Sequence, residues 1–147
     1  MRVLVTGGAG FIGSHLVDCL RAEGHSVAVL DNLSTGRIEN LGSARSRVTF
    51  HHGSVLDQGL VERLVEASDA TFHLGAAVGV PYILADALGG IRTNVEGTLH
   101  IVAACATRRR PLVFASSSEV YGKAAGLPMS ELDDRVLGAT SITRWSY

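Results

Sequence analysis

The chain has 147 residues, of which 46% are hydrophobic and 18% charged, and its formal net charge at pH 7 is −1. This composition is typical of one soluble globular domain with a single core, and it excludes a disordered tail and a basic surface for nucleic acid. No stretch approaches the roughly 20 apolar residues of a membrane helix, and the first residues lack the apolar region of a signal peptide. We therefore expect a cytoplasmic protein that binds neither nucleic acid nor membranes.

Short apolar runs alternate with helical patterns along the chain. These patterns predict strands over 2–5, 26–30, 48–52, 70–74 and 112–115, and helices over 12–23, 58–67 and most of 83–107. One face of the first helix is expected to be buried, and it carries Ile12, Leu16, Val17 and Leu20. Apolar strands that alternate with helices indicate a parallel sheet covered on both faces. The sequence thus predicts an α/β fold, with a Rossmann-like doubly wound parallel sheet that stops after about five strands.

A glycine-rich run, TGGAGFIG at 6–13, connects the first predicted strand to the first predicted helix. A tight turn needs glycine, and a pyrophosphate needs a backbone without Cβ atoms beside a helix N-terminus with unpaired N–H groups. Asp31 ends the second predicted strand, 18 residues beyond Gly13, close to where a carboxylate takes the adenosine ribose hydroxyls. Because a carboxylate repels a 2′-phosphate, the sequence predicts NAD rather than NADP as cofactor. Arg37 could turn toward such a phosphate, although we expect it to be a solvated loop residue.

Several other polar residues have structural interpretations. Cys19 and Cys105 lie far apart in predicted helices, without the spacing of a metal site or a disulfide scaffold, so we expect two buried free thiols and no metal. His73 stands near a strand end and is expected to be packed rather than catalytic. The cations at 108–110 could form an anion site, but they end a predicted helix before a proline, and we expect them to complement the helix dipole there.

Four ordered motifs carry a resemblance to a known family. They are the run at 6–13, DNLSTG at 31–36, TNVEGT at 93–98 and SSSEVYG at 116–122. Together they resemble the extended short-chain dehydrogenase/reductase family, specifically its NAD-dependent nucleotide-sugar epimerases and dehydratases. Within that group the likeness is to UDP-glucose 4-epimerases and UDP-glucuronate decarboxylases.

The resemblance implies a set of cofactor-binding residues. For the pyrophosphate they are Gly7, Gly10 and Gly13 with the amides of Phe11 and Ile12. Around the adenosine they are Asp31, Asn32, Ser34 and Gly36, with Ser54 and Val55 after the third strand. Beneath and beside the rest of the cofactor they are Leu74, Gly75, Ala76 and Asn94. The sequence departs from the family pattern at Ser54, because the family usually has an Asp there that reads the adenine amino group.

The resemblance also implies catalytic residues. Ser117 occupies the family's catalytic Ser/Thr position, Tyr147 the catalytic Tyr position, and Glu119 could serve a decarboxylase or be structural. The family motif is Tyr-x-x-x-Lys, and this sequence stops at Tyr147. A phenol with an ordinary pKa near 10 needs a nearby positive charge to act as a base at neutral pH. We therefore expect residues 1–147 to be an incomplete NAD-binding domain, without the C-terminal substrate lobe and inactive alone.

The function implied by the resemblance is that of an NAD-dependent nucleotide-sugar epimerase, which acts on a UDP-sugar through a transient 4-keto sugar. A UDP-glucuronate decarboxylase is the alternative, and a non-catalytic nucleotide-binding module is the alternative of another class. The sugar and the fate of the ketone stay open at this stage. A sheet cut after five strands leaves an open edge and uncovered apolar surface, so we also expect a homo-oligomer.

Overall fold

The computed structural model describes residues 1–79, 83, 85–123, 128–139 and 141. The chain divides into two compact units, Met1–Phe114 and Ala115–Tyr147. The first unit contains all five strands and the candidate cofactor residues. The second unit contains the three candidate catalytic positions.

The first unit is built on a five-stranded parallel sheet in the order β3-β2-β1-β4-β5. Its strands are β1 (Arg2–Thr6), β2 (Ser26–Asp31), β3 (Thr49–His52), β4 (Ala70–His73) and β5 (Leu112–Phe114). Thr6 pairs with Leu30 on one side and with His73 on the other, so the carboxyl ends of β2, β1 and β4 lie level at one edge. The predicted α/β class and the parallel sheet are confirmed.

The helices are α1 (Phe11–Ala22), α2 (Gln58–Glu66), α3 (Ala87–Ile91) and α4 (Gly97–Arg108). A π-helical turn, Arg92–Glu96, joins α3 to α4, so the helix predicted over 83–107 changes its hydrogen bonding in the middle. A 3₁₀ segment, Ile38–Arg47, was not predicted from the sequence. Its backbone breaks at Gly42, where φ is +46°, and this interruption leaves no continuous helical period to detect.

The core consists of two apolar clusters on opposite faces of the sheet. Leu4 packs with residues of α2 and α4, whereas its neighbours Val3 and Val5 pack with α1 and the 3₁₀ segment. Successive residues of a strand point to opposite faces, so β1 contributes to both clusters. This arrangement explains why its sequence is apolar without a break.

Two expectations about burial were wrong. Ile12 is 71% exposed, because Gly13 and Ser14, and not Ile12, occupy the buried positions of the first turn of α1. Of the other residues of that face, Val17 and Leu20 are buried, and Leu16 is partly buried against the same cluster. Cys105 is a buried free thiol whose pKa is raised by burial, but Cys19 is exposed because it lies on the outer face of α1.

The second unit contains little regular structure among its described residues. A short 3₁₀ turn covers Ser118–Tyr121, and Gly122 forms a parallel bridge with Val136. The Lys123 N–H donates to the Val136 carbonyl at 2.7 Å beside this bridge. Across both units, the described helices include none with the length and apolar character needed to cross a bilayer.

Candidate cofactor site

The glycine-rich turn after β1 requires glycine at two positions for reasons of space. Gly7 has a φ of +70°, and a Cβ there would lie 2.8 Å from the Gly75 Cα. A Cβ on Gly13 would collide with the Gly7 carbonyl oxygen and stand 2.8 Å from the Gly8 Cα. Side chains at these positions would therefore push α1 and the Gly75 loop away from the turn. These two glycines therefore allow α1 and the Gly75 loop to pack closely against the turn.

The N-terminus of α1 offers backbone donors at the same place. Gly10 is the N-cap, has an extended backbone, and caps the helix with no side chain. Ser14 is the first residue whose amide bonds back along the helix, to the Gly10 carbonyl at 3.0 Å. The amides of Phe11 and Ile12 precede it and have no acceptor within the helix. This end of α1 can therefore donate to an anion, and its dipole favours negative charge.

Asp31 presents a fixed carboxylate at the end of β2. The residue is only 8% exposed, and its Oδ2 accepts the Ala9 N–H at 2.9 Å while its Oδ1 accepts the Leu33 N–H at 2.8 Å. Each carboxylate oxygen has a second lone pair, so both can still accept a hydroxyl proton. The carboxylate is thus held by backbone amides beside the glycine-rich turn, and its remaining acceptor capacity suits a vicinal diol.

The loop after β2 folds back onto Ala9. The Ala9 carbonyl accepts the Arg37 N–H at 3.0 Å and the Asn40 Nδ2 at 2.8 Å. Gly36 lies so close that a Cβ would stand 2.9 Å from the Ala9 carbonyl carbon and 3.2 Å from Asp31 Oδ1. Sequence reasoning named Gly36 but missed Asn40, because nothing in the local pattern links it to a residue 31 positions earlier.

Asn32 and Ser34, the other two candidates for contact with the adenosine in this loop, are polar and exposed. Asn32 Oδ1 accepts the Ser34 N–H at 3.1 Å, which forms a small turn immediately after β2. This turn places both side chains on the same loop as Asp31.

After β3, Ser54 and Val55 have different environments. Ser54 Oγ accepts the Leu56 N–H at 3.1 Å and is only partly buried. The Val55 side chain belongs to the core, and a Cβ on Gly97 of α4 would collide with it. Its carbonyl accepts a bond of 3.0 Å from the ring of His100, which points that carbonyl toward α4. The Val55 side chain is apolar and packed, so this residue could offer a ligand only its backbone.

After β4, the three candidates Leu74, Gly75 and Ala76 continue the chain past the sheet edge. Leu74 packs partly against the core, Gly75 lies against the glycine-rich turn, and Ala76 is exposed. Asn94, in the π-helical turn, forms two hydrogen bonds with Ala77, the residue that follows Ala76. Its Oδ1 accepts the Ala77 N–H at 2.7 Å, and its Nδ2 donates to the Ala77 carbonyl at 2.9 Å. The amide of Asn94 is therefore engaged in holding this loop.

The candidate catalytic residues lie in the second unit. Ser117 is exposed and is the N-cap of the turn Ser118–Tyr121, where its Oγ accepts the Glu119 N–H at 3.2 Å. Glu119 is half-buried within that turn. Tyr147 lies outside the described residues. The structure therefore brings the cofactor candidates together at one edge of the sheet, and it does not test the catalytic assignments.

The chemistry of this edge fits a dinucleotide. Backbone donors lie at the start of α1 beside the glycine-rich turn, and a fixed carboxylate follows at the end of the neighbouring strand. A pyrophosphate needs donors, and a ribose beside it needs an acceptor for its hydroxyls, which is the order in which these groups occur. These features match NAD, in which the ribose hydroxyls are free.

Comparison with known proteins gives consistent matches over almost the whole chain. A UDP-N-acetyl-α-D-glucosaminuronate decarboxylase of Bacillus cytotoxicus is 42% identical over 146 residues, which is 99% of this chain and 45% of that protein. A UDP-glucose 4-epimerase of Mycolicibacterium smegmatis is 41% identical over 136 residues, covering 89% of this chain and 44% of that protein. The chain therefore spans less than half the length of the curated relatives it matches.

Solved structures agree with these matches. The dTDP-glucose 4,6-dehydratase DesIV of Streptomyces venezuelae, solved with bound NAD, superposes with a TM-score of 0.84 at 35% identity, over 93% of this chain and 46% of that one. The family profile described as the NAD dependent epimerase/dehydratase family matches residues 3–142. Sequence, fold and the geometry of the strand edge therefore lead to one conclusion: the chain belongs to the NAD-dependent epimerase/dehydratase family.

Proposed function

We propose that this chain binds NAD at the carboxyl edge of β2, β1 and β4 and is the cofactor-binding part of an enzyme that modifies a nucleotide-sugar. The observation that supports this most directly is the Asp31 carboxylate, which two backbone amides hold beside the glycine-rich turn. The family is described as NAD-dependent, and the DesIV relative was solved with NAD.

The chain's own residues would bind the cofactor in two places. The amides of Phe11 and Ile12 donate to the pyrophosphate, with Gly7 and Gly10 allowing the backbone to come close. The Asp31 carboxylate accepts the adenosine ribose hydroxyls and repels a 2′-phosphate. Asn40 supports both places indirectly, because it holds the carbonyl of the Ala9 peptide that lies between them.

NAD, when bound, supplies the hydride acceptor for the oxidation of a sugar hydroxyl. In this proposal Ser117 donates a hydrogen bond to the oxygen of that hydroxyl, and the Tyr147 phenolate takes its proton. The Tyr147 phenol needs a positive neighbour to lower its pKa, and a Tyr-x-x-x-Lys motif would supply one four residues later. The sugar would be bound by a region that corresponds to the part of the relatives that this sequence does not match.

Within this class we propose the epimerase activity first, through a transient 4-keto sugar, with a UDP-sugar as substrate. The alternative is a decarboxylase of a UDP-glucuronate-like sugar. The observation that favours the alternative is the 42% identity with the UDP-N-acetyl-α-D-glucosaminuronate decarboxylase, together with an acid, Glu119, two residues after Ser117.

Calorimetric titration of the purified chain tests the cofactor proposal. NAD should bind more tightly than NADP. Gly10→Val should abolish binding, because its branched side chain would fill the proposed pyrophosphate space. A Cβ on Gly10 alone would already stand 3.2 Å from the Gly7 carbonyl oxygen. Gly59→Ala is the matched control, because a Cβ at that position of α2 meets only side-chain ends, Arg63 Nη1 at 3.4 Å and Asp57 Oδ1 at 3.7 Å. Binding that survives Gly10→Val would contradict the proposal.

A chimera tests the reaction. Residues 1–147 are joined to the unmatched remainder of the Bacillus cytotoxicus relative, and the product is determined by mass spectrometry and NMR with UDP-glucose, UDP-glucuronate or its 2-acetamido analogue as substrate. Ser117→Ala should slow the conversion and Tyr147→Phe should abolish it, with the NAD affinity unchanged in both variants. The remainder of the Bacillus cytotoxicus decarboxylase favours decarboxylation. A second chimera therefore joins residues 1–147 to the unmatched remainder of the Mycolicibacterium smegmatis epimerase, and it tests whether these residues also support epimerisation. Full activity of the Phe variant would remove Tyr147 from the mechanism.

A further inference from the structure

His73 is a buried polar group at the end of β4 that the proposed reaction does not use. Its ring is 2% exposed and lies between two hydroxyls, with Nδ1 2.6 Å from Thr6 Oγ1 and Nε2 3.1 Å from Thr98 Oγ1. The Phe114 ring stacks on it at a centroid distance of 5.7 Å and an interplanar angle of 27°. The ring therefore bridges β1 and α4 in a water-excluded space.

The hydrogen bonds around His73 are compatible with a proton on Nε2 and none on Nδ1. The Thr6 hydroxyl already accepts the Gly75 N–H at 3.1 Å, and it has one proton of its own to donate. If that proton goes to Nδ1 over the short 2.6 Å contact, the neutral ring carries its own proton on Nε2 and donates it to Thr98. The protons of the Thr6 hydroxyl and of the His73 ring are then both used in hydrogen bonds. Burial lowers the pKa of His73 to about 4, so the ring is neutral at physiological pH.

This chain of hydrogen bonds ends at the two backbone segments that form the proposed cofactor site. Thr6 directly precedes Gly7, the first glycine of the turn, and the Gly75 Cα lies 2.8 Å from where a Cβ on Gly7 would be. The Leu74 N–H bonds the Thr6 carbonyl at 3.1 Å, and the Gly75 N–H then bonds the Thr6 side chain instead of another carbonyl. The Thr6 hydroxyl oxygen thus holds the Gly75 N–H beside the turn.

We propose that His73 is a positioning residue of the cofactor site: its unprotonated Nδ1 orients the Thr6 hydroxyl so that the hydroxyl oxygen faces the Gly75 N–H and holds the Gly75 loop against the Gly7 turn. The inference rests on the NAD site proposed above. The Nε2 bond to Thr98 contributes stability, whereas the Nδ1 bond to Thr6 sets the geometry of the site.

Three variants separate the two sides of the ring. His73→Asn keeps an acceptor near the position of Nδ1 and loses the bond to Thr98, whereas His73→Gln keeps a donor near the position of Nε2 and loses the acceptor for Thr6. Thr98→Val removes only the outer partner with little change in shape. We expect His73→Gln to raise the Kd for NAD about tenfold, the size of one lost hydrogen bond. His73→Asn and Thr98→Val should bind NAD within about twofold of the unmodified chain, although both unfold at lower urea concentration.

A second measurement needs no cofactor. Amide hydrogen exchange of Gly75 by NMR should be slow in the unmodified chain, in His73→Asn and in Thr98→Val, and fast in His73→Gln. The ¹⁵N shifts of the His73 ring in the unmodified chain should show Nε2 protonated and Nδ1 unprotonated, which requires no variant to fold.

These measurements distinguish failure of the positioning role from failure of the proposed NAD site. The positioning role would be overturned by the opposite ring tautomer or by a protected Gly75 amide in His73→Gln. It would also be overturned if the loss of NAD affinity in all three variants simply followed their loss of unfolding free energy. A chain that shows the expected tautomer and Gly75 exchange but binds no NAD would refute the proposed function and leave the arrangement of Thr6, His73 and Gly75 standing.

Discussion

The Asp31 carboxylate accepts the Ala9 N–H at 2.9 Å, and this bond ties the end of β2 to the glycine-rich turn after β1. The same carboxylate accepts the Leu33 N–H, so its two oxygens are fixed before any ligand arrives. A group that is already oriented loses little conformational freedom when it binds a diol. Asp31 therefore acts both as part of the fold and as the proposed ribose acceptor.

Asp31→Asn should reduce the preference for NAD over NADP. The asparagine side chain lacks the negative charge that repels a 2′-phosphate. It also has only one acceptor oxygen for the N–H groups of Ala9 and Leu33, so the free energy of unfolding should fall by about 1 kcal/mol. Calorimetric titration with both cofactors and urea unfolding measure the two effects. Glu39→Gln, an exposed acid of the following 3₁₀ segment, is the control and should change neither. Equal binding of both cofactors by the unmodified chain would contradict the role of Asp31.

Gly13→Ala should destabilise the chain by ~1–3 kcal/mol, because the added Cβ meets the backbone of Gly7 and Gly8, which cannot move without opening the turn. The matched control, Gly59→Ala, should be neutral or stabilising by up to ~1 kcal/mol, since alanine is the better helix former. Urea unfolding of the two variants gives the comparison. A Gly13→Ala variant as stable as the unmodified chain would show that α1 can move away from the turn at no cost.

Asn94→Ala should loosen the loop after β4. The substitution removes both hydrogen bonds to Ala77 and leaves a partly buried peptide without side-chain partners, at a cost of about 1–2 kcal/mol. Exchange of the Ala77 amide, followed by NMR, should accelerate more than that of amides in β1. The control, Arg92→Ala, changes a residue of the same π-helical turn and removes an exposed ion pair with Glu96, so it should have little effect on stability. If both variants accelerated exchange of the Ala77 amide equally, the two Asn94 hydrogen bonds would not be what holds this loop.

The stability of the chain should fall as the pH is lowered from 6.5 toward about 4. The pKa of His73 lies at about 4 in the folded chain because of burial and near 6.5 in the unfolded chain, so the unfolded state binds the extra proton over this window. The free energy of unfolding then drops by up to about 1.4 kcal/mol per pH unit. The contribution of Asp69 follows at lower pH, because the Arg2 backbone N–H and side chain hold the pKa of that carboxyl below 3.8.

Urea unfolding at a series of pH values measures this slope. His73→Asn should flatten it between pH 6.5 and 4, whereas Thr98→Val should keep it. A slope that is unchanged in His73→Asn would assign the acid sensitivity to another group.

The helical run from α3 through α4 predicts self-association. The apolar side chains Leu88, Ile91, Val95, Leu99 and Val102 recur at helical spacing, and each is at least 43% exposed. Exposed apolar stripes of this kind promote association. Sedimentation at micromolar concentration should show a dimer or larger species, and Leu99→Glu should shift it toward monomer. A monomeric unmodified chain would contradict the expectation of a homo-oligomer.

Local signals were sufficient to predict the first part of the fold. The strand β1, the glycine-rich turn, α1 and β2 follow one another within 31 residues, and each is defined by periodicity or by glycine placement. The 3₁₀ segment and the π-helical turn were not predicted, because both depart from the 3.6-residue period on which helix prediction depends. Ile12 was misplaced for a related reason: periodicity assigns a face to the whole helix, but the first turn of α1 meets the glycine-rich turn instead of the sheet.

The sequence by itself determined the parallel α/β class, the position of the glycine-rich turn and the acid at the end of β2, because these depend on residues close together in the chain. Only the tertiary structure decided which groups hold the site in place. The bonds from Asn94 to Ala77, from Asn40 to Ala9 and from His73 to Thr6 span 17, 31 and 67 residues. No local pattern encodes them, since they exist only when parallel strand ends and a packed helix bring distant polar groups within 3 Å of each other.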